Sequence, residues 1–153
     1  MLDTGALTDH LIASMAELSW LEVGDGIAPV DGGWAKGQPN VDQFVPYVVV
    51  AFTGARPRAV STELLMSKQE ETWLASFQLR YHGASRSQVD WTGMECREKV
   101  AGLLKTRVSE QPDHEITWIE WQSLGGVQRN DVVDPPIWAA TDGFTFHVVK
   151  RGT

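Results

Sequence analysis

TWLASFQLRYHGASRSQVDWTGMECREKVAGLL, from Thr72 to Leu104, carries two hydrophobic periods that meet at one glycine. Between Trp73 and Tyr81 the apolar side chains stand at Trp73, Ala75, Phe77, Leu79 and Tyr81, with Ser76, Gln78 and Arg80 among the alternate positions. That period of two predicts a strand with one packed and one wet face. Past Gly83 the spacing becomes Val89, Gly93, Cys96, Val100, Leu103 and Leu104, which falls on one side of a helix. Ser85 and Gln88 have the form of a capping box, so the helix is predicted to begin near Arg86. Its apolar stripe needs a sheet to lie against.

Outward from this unit, Phe44 to Phe52 (FVPYVVVAF) is a nearly continuous apolar run rich in β-branched residues, as for a central strand covered on both faces. Pro46 has no N–H to give and must stand near its start or on a bulge. Gly54 to Pro57 reads as a turn or exposed loop. The stretch on to Gln69 has no clean period, although Glu63 to Met66 has the composition of a short strand. Glu115 to Leu124 alternates with apolar residues on both faces, Ile116 and Trp118 on one, Ile119 and Trp121 on the other, and Gly125-Gly126 is expected to end it. Arg129-Asn130-Asp131 and Asp134-Pro135-Pro136 then form a polar loop before a last strand through Phe144, Phe146 and Val148.

At the other end, Leu7, Leu11, Met15 and Leu18 share one face of a helix predicted from Leu7 to Ser19, with Thr4 or Thr8 as its cap. Trp20 to Val23 is extended. Gly24-Asp25-Gly26 opens a long irregular segment containing Trp34, which either pins the segment to the body or is offered to a partner. The fold class that follows is α+β, a single mostly antiparallel sheet of about four to five strands packed with two helices.

A chain of 153 residues is most simply one domain, able to bury roughly 68 to 70% of its unfolded surface without a covalent staple. Cys96 is the single cysteine and lies on the apolar helix face, so it reads as a buried thiol and excludes an internal disulfide. No apolar run approaches the roughly 20 residues that span a bilayer, and the first residues are acidic rather than basic, so no membrane partner or secretion signal is expected. The net charge of -7 disfavours an exposed nucleic-acid surface.

Motifs for chemistry are missing. His10, His82, His114 and His147 are scattered over several elements without metal-ligand spacing, so surface or hydrogen-bonded histidines are expected. There is no G-x-S-x-G, H-E-x-x-H or phosphate-binding glycine loop. Glu70-Glu71 point apart on a strand and read as solvated charges. Asp131 and Asp134 lack the ligand pattern of a calcium loop. No catalytic residue, metal or cofactor is expected. What the chain has instead is seven tryptophans. Trp73 and one of Trp118 and Trp121 are predicted internal, while Trp34, Trp91 and Trp138 lie in loops, beside them or at a helix start, where a subunit interface collects aromatics.

Tyr47-Val48-Val49-Val50, then Phe77-Gln78-Leu79-Arg80-Tyr81-His82-Gly83 and Ser85-Arg86-Ser87-Gln88-Val89-Asp90-Trp91, resemble the tail terminator (tail completion) proteins of long, noncontractile-tailed phages, especially those of actinobacterial hosts. Arg129-Asn130-Asp131, Pro135-Pro136 and Ala140-Thr141-Asp142-Gly143-Phe144 follow in the family's order. The resemblance runs from about Phe44 to Val149. The sequence departs from the pattern at His82, where the family carries a small or β-branched residue, and along Gly54 to Gln69.

The resemblance implies a structural virion protein located at the tail neck and assembled in the host cytoplasm. It implies a homohexameric ring that caps the tail tube, stops its polymerisation and meets the head-tail connector, with DNA only as passing cargo. Such a ring needs lateral faces of roughly 800 Å² per partner and two unlike ends. Trp34, Trp91, Arg129, Asp131 and Trp138 are the candidate interface residues, and Pro29 to Gln43 and Gly54 to Gln69 the candidate ends. A lining of carboxylates would keep DNA from adhering. Two other classes are consistent with the residues: another neck or connector component, and a small ligand-binding α+β domain.

Overall fold

The computed structural model describes residues 1–34, 44–58, 72–132 and 135–151. The Glu63 to Met66 strand, Glu70-Glu71, Asp134 and the part of the long glycine-rich segment from 35 to 43 lie outside these residues. Among the described residues two helices pack on one sheet, as an α+β chain requires.

Helix α1 spans Thr4–Ala16 and buries Ala6, Leu7, Leu11 and Met15, the face expected of it. It begins earlier than predicted, because the cap is Asp3 and neither threonine: the Asp3 carboxylate accepts from the Ala6 N–H at 3.0 Å. Thr8 is already inside the helix, its hydroxyl donating to the Thr4 carbonyl at 2.7 Å. Strand β1 (Glu22–Asp25) follows. Gly33–Trp34 (β2) and Phe44–Val45 (β3) pair as a separate short ribbon, and Pro46 stands just before β4 (Tyr47–Pro57). Strand β5 (Thr72–Gly83) leads into helix α2 (Arg86–Ala101), and β6 (Arg107–Val108), β7 (Gln111–Asn130) and β8 (Ile137–Lys150) complete the chain.

The main sheet has six strands in the order β1-β4-β5-β8-β7-β6. Its four long strands are antiparallel neighbours, and β1 and β6 are short additions at the two sides. The sheet is mixed rather than purely antiparallel, because β1 runs parallel to β4 with Glu22 opposite Tyr47. A parallel pair needs a crossover of a dozen residues or more, and the glycine-rich segment that carries β2 and β3 supplies it.

Two glycine signals read as stops are bulges instead. β4 continues through Gly54–Pro57 after a register shift between Phe52 and Gly54, where Gly54 adopts a φ of 151° that side chains disfavour. β7 runs on through Gly125 and Gly126 to Asn130, with shifts on either side of Gly125, so Arg129 and Asn130 belong to a strand and the loop shrinks to the residues around Pro135-Pro136. The expectation of one internal tryptophan on β7 also fails. Trp118 is 58% and Trp121 55% exposed. A bulge at Thr117 breaks the alternation there, and the strand lies too near the sheet's side for α2 to cover more than Ile116 and part of Ile119.

The capping box holds in modified form: the Ser85 hydroxyl accepts from the Gln88 N–H at 3.2 Å, while the Gln88 amide oxygen reaches back to the Ala84 N–H at 2.7 Å. From this start α2 buries Val89, Gly93, Cys96 and Val100. At Gly93 the helix lies close on the sheet, since a β-carbon there would meet the Tyr81 ring at 3.3 Å. Leu104, past the helix end, is exposed. Cys96 is fully enclosed, and burial pushes its thiol up to about 12.

Both helices cover the face bearing Val48, Val50, Phe77, Leu79, Tyr81, Phe144 and Phe146, which form one core with Leu7, Leu11, Met15 and Val100. The opposite face is covered at Tyr47 and His82, where Gly32 and Phe44 pack on it, but among the described residues it has no second layer over Ser76, Gln78 and Thr145. The expectation that β4 is covered on both faces therefore holds near Tyr47 and fails from Ala51 onward. Val100 is 1% exposed, and Val100→Asp forces an unpaired carboxylate between helix and sheet at a cost of about 3 to 5 kcal/mol. Thermal unfolding of the variant, followed by circular dichroism, is expected to lose its cooperative transition; a melting temperature within a few degrees of the parent contradicts this packing.

Candidate functional site

The two sides of the sheet are only half closed. On β4, β1 covers Tyr47 to Val50, and from Ala51 onward no described strand lies beside it. On β7, β6 pairs only at Gln111 and Glu115, leaving the outer side open from Trp118 to Asn130 among the described residues. Backbone N–H and C=O groups along such stretches are templates for another strand. Bulges at Thr117 and Leu124 bound the regular run of β7 from Trp118 to Ser123, and a bulge at Thr53 interrupts the open stretch of β4.

One row of aromatic side chains crosses the helix-covered face between these two openings. Phe52 pairs with Phe77, Phe77 with Phe144, and Phe144 with Trp121. The inner members Phe77 and Phe144 are buried, whereas Phe52 is 39% exposed and Trp121 more so. Beside Trp121 a groove of about 360 Å³ opens between α2 and β7, lined by Arg97, Val100, Leu104, Ile119, Trp121 and Phe144.

The groove's charged member is held from behind. Asp142, 2% exposed on β8, accepts from the Tyr81 hydroxyl at 2.7 Å and from Arg97 Nε at 2.8 Å. The Arg97 guanidinium also lies over the Trp121 ring at 5.1 Å. Burial, and then the adjacent Asp142 carboxylate, drive the Tyr81 phenol far above its ordinary range, so it stays a donor. Asp142→Ala leaves that hydroxyl buried and unpaired, a cost of about 1 to 3 kcal/mol. Denaturant titration should show a lowered midpoint for Asp142→Ala and a smaller loss for Tyr81→Phe, which removes the donor together with its need.

The five residues predicted as interface fall into three places. Arg129 and Trp138 are register partners at the far end of the β7–β8 hairpin, Arg129 Nε meets Asp131 at 2.5 Å, and the Arg86 guanidinium stands over Trp138 at 5.7 Å. Trp34 packs edge-on against Phe44 at 5.0 Å, is half-buried, and pins the β2–β3 ribbon. Trp91, on α2, stacks on Trp20 at 4.2 Å and keeps 43% of its surface exposed. The open sides and the groove were not anticipated from sequence. The alternation that placed Phe77 and Phe144 in a core was legible, but their pairing with Phe52 and Trp121 depends on register.

Of the histidines, His10 bridges Ser109 and Thr106 and so ties α1 to the turn before β7, while His114 is buried against Asp113. His82 stacks on Tyr47 with ring centroids 4.3 Å apart, and its Nδ1 is enclosed without a partner among the described residues. Burial, aided by Arg80, lowers its imidazole from 6.5 to about 4. A folded-state value below the unfolded one means that protonation favours unfolding. Stability from this site is present above about pH 6.5 and lost as pH falls through about 4. Melting temperature is therefore expected to decline across that window, and less steeply in His82→Gln; equal slopes in the two proteins contradict the assignment.

Among the described residues, the chain is thus an α+β protein with helices on one sheet face and two unlike open sides. Comparison with protein-family models and with curated proteins finds no match.

Proposed function

We propose that this protein is a tail terminator, a structural virion component that closes into a homohexameric ring on the tail tube, ends tube growth and joins the tail to the head connector. The observation that supports this reading most is the pair of unlike open sides, one on β4 and one on β7. Two different complementary surfaces on one subunit generate head-to-tail contacts, which close into rings or run on as filaments. The resemblance carried by residues from Tyr47 to Phe144 supplies the particular assembly, and its partners are the tail tube protein below and the connector above.

In such a ring the uncovered sheet face lines the passage. Its side chains are mainly small or neutral, Ser76, Gln78, Thr145 and Ala51, with Arg56, Arg80, Glu115 and Glu120 among its charges. A lining whose arginines are matched by carboxylates has little net attraction for phosphate as DNA moves, so it acts through balance more than through the carboxylate repulsion expected from the net charge. The groove beside Arg97 favours a second reading, a domain that binds an apolar ligand carrying a carboxylate.

A polymer whose end is uncapped keeps adding subunits, because each addition regenerates the same surface. Deletion of the coding sequence from its phage, with the protein supplied in trans as control, is expected to yield tails of excessive and variable length that do not join heads, while tubes and heads still form. Negative-stain microscopy measures this directly. Tails of normal uniform length that carry heads sink the terminator reading.

A further inference from the structure

We infer that the lateral contact is a strand-to-strand junction in which β4 of one copy pairs with β7 of the next, and Phe52 of the first fills the groove beside Trp121 of the second. The inference rests on the ring reading above and specifies its interface. Three observations carry it.

The first is strand direction. β4, β5, β8 and β7 alternate, so β4 and β7 run opposite ways within a copy, and a neighbour placed side by side continues the antiparallel alternation without inversion. The second is the aromatic row. Phe52, Phe77, Phe144 and Trp121 share one register line and one face, and only the two end members are exposed. Joining copies along that line sets Phe52 against Trp121 and the groove formed with Val100, Leu104 and Ile119, which is open where α2 ends. The row then runs unbroken from subunit to subunit, and aromatic neighbours at such crossings add to the burial of their own surface.

The third is charge. Arg56 lies opposite Leu74, on the uncovered face, and makes no ion pair among the described residues. Glu120, opposite Thr145, lies on the same face of β7, with only a 3.6 Å contact to His147. With Phe52 opposite Trp121 and the Gly54 bulge retained, Arg56 of one copy comes diagonal to Glu120 of the next, within reach of an ion pair. The β7 bulges at Thr117 and Leu124 limit the junction to this short window and discourage indefinite edge pairing.

A cysteine pair tests this. Within one copy three strand spacings separate Phe52 from Trp121, roughly 14 Å, which is too far for a disulfide that needs Cα atoms about 4.4–6.8 Å apart. In full-length protein assembled on tail tubes, a mixture of Phe52→Cys and Trp121→Cys is expected to yield a disulfide dimer on mild oxidation. The double variant is expected to yield a ladder ending at the closed ring, and each single variant alone only monomer. Thermal unfolding checks that each variant folds. In a second arm, Arg56→Glu is expected to abolish ring formation and Glu120→Arg in the same chain to restore it. Rings visible by microscopy in which the cysteine pair does not cross-link overturn this junction and leave the terminator reading standing. Cross-linking of Trp121→Cys to a different chain also overturns it, and absence of any ring on the tube, with normal tail lengths after deletion, removes both.

Discussion

The hydroxyl of Tyr81, the carboxylate of Asp142 and the guanidinium of Arg97 bring β5, β8 and α2 to a single buried point. Asp142 is among the few polar residues enclosed in the core, and an ionised carboxylate there is tolerable only with both donors in place. Gly93 lets α2 come close enough for Arg97 to reach, because a β-carbon at that position would meet the Tyr81 ring and Arg97 itself. The angle of the long helix on the sheet therefore depends on a polar contact surrounded by apolar packing. The groove beside Trp121 is a consequence, since Arg97 forms its floor from this anchored position.

Among the described residues, the sheet is unfinished at both sides. Natural sheets blunt their edges with short strands, charges and bulges, and this one uses short strands over part of each side and bulges next to what remains. Beside the charged Arg56 and Glu120, the residues left open include large aromatics. They include Phe52 on one side and Trp118 and Trp121 on the other, all substantially exposed. Large aromatic surface kept in water at two separate openings is costly for a monomer and useful for a subunit.

The five interface candidates drawn from sequence emphasise a different part of the molecule, the hairpin tip and the loop-borne tryptophans. Trp34 and Trp91 have aromatic partners within the chain, Phe44 and Trp20, which accounts for much of their surface. Arg129, Asp131 and Trp138 stand together at the end of the β7–β8 hairpin, a position suited to an axial neighbour. In the proposed ring, lateral contacts would use β4 and β7 and axial ones the tip of the β7–β8 hairpin, so one subunit would present unlike faces without a second domain.

By itself the sequence determined the strand from Trp73 to Tyr81, the helix after Ser85 and the last strand, because each is specified by local periodicity and a cap acting over a few residues. It also determined that Cys96 and Val100 face a core. Only the tertiary structure decided that Gly54 and Gly125-Gly126 lie at bulges within strands, since a glycine suits a turn and a bulge equally and the choice depends on what pairs on either side. It alone decided that Trp121 is exposed while Phe144, its register partner, is buried, because alternation assigns a face but strand order decides whether anything covers it. The open sides of β4 and β7 have the same origin: an edge is a property of the order of strands in a sheet, and no local pattern of side chains encodes that order.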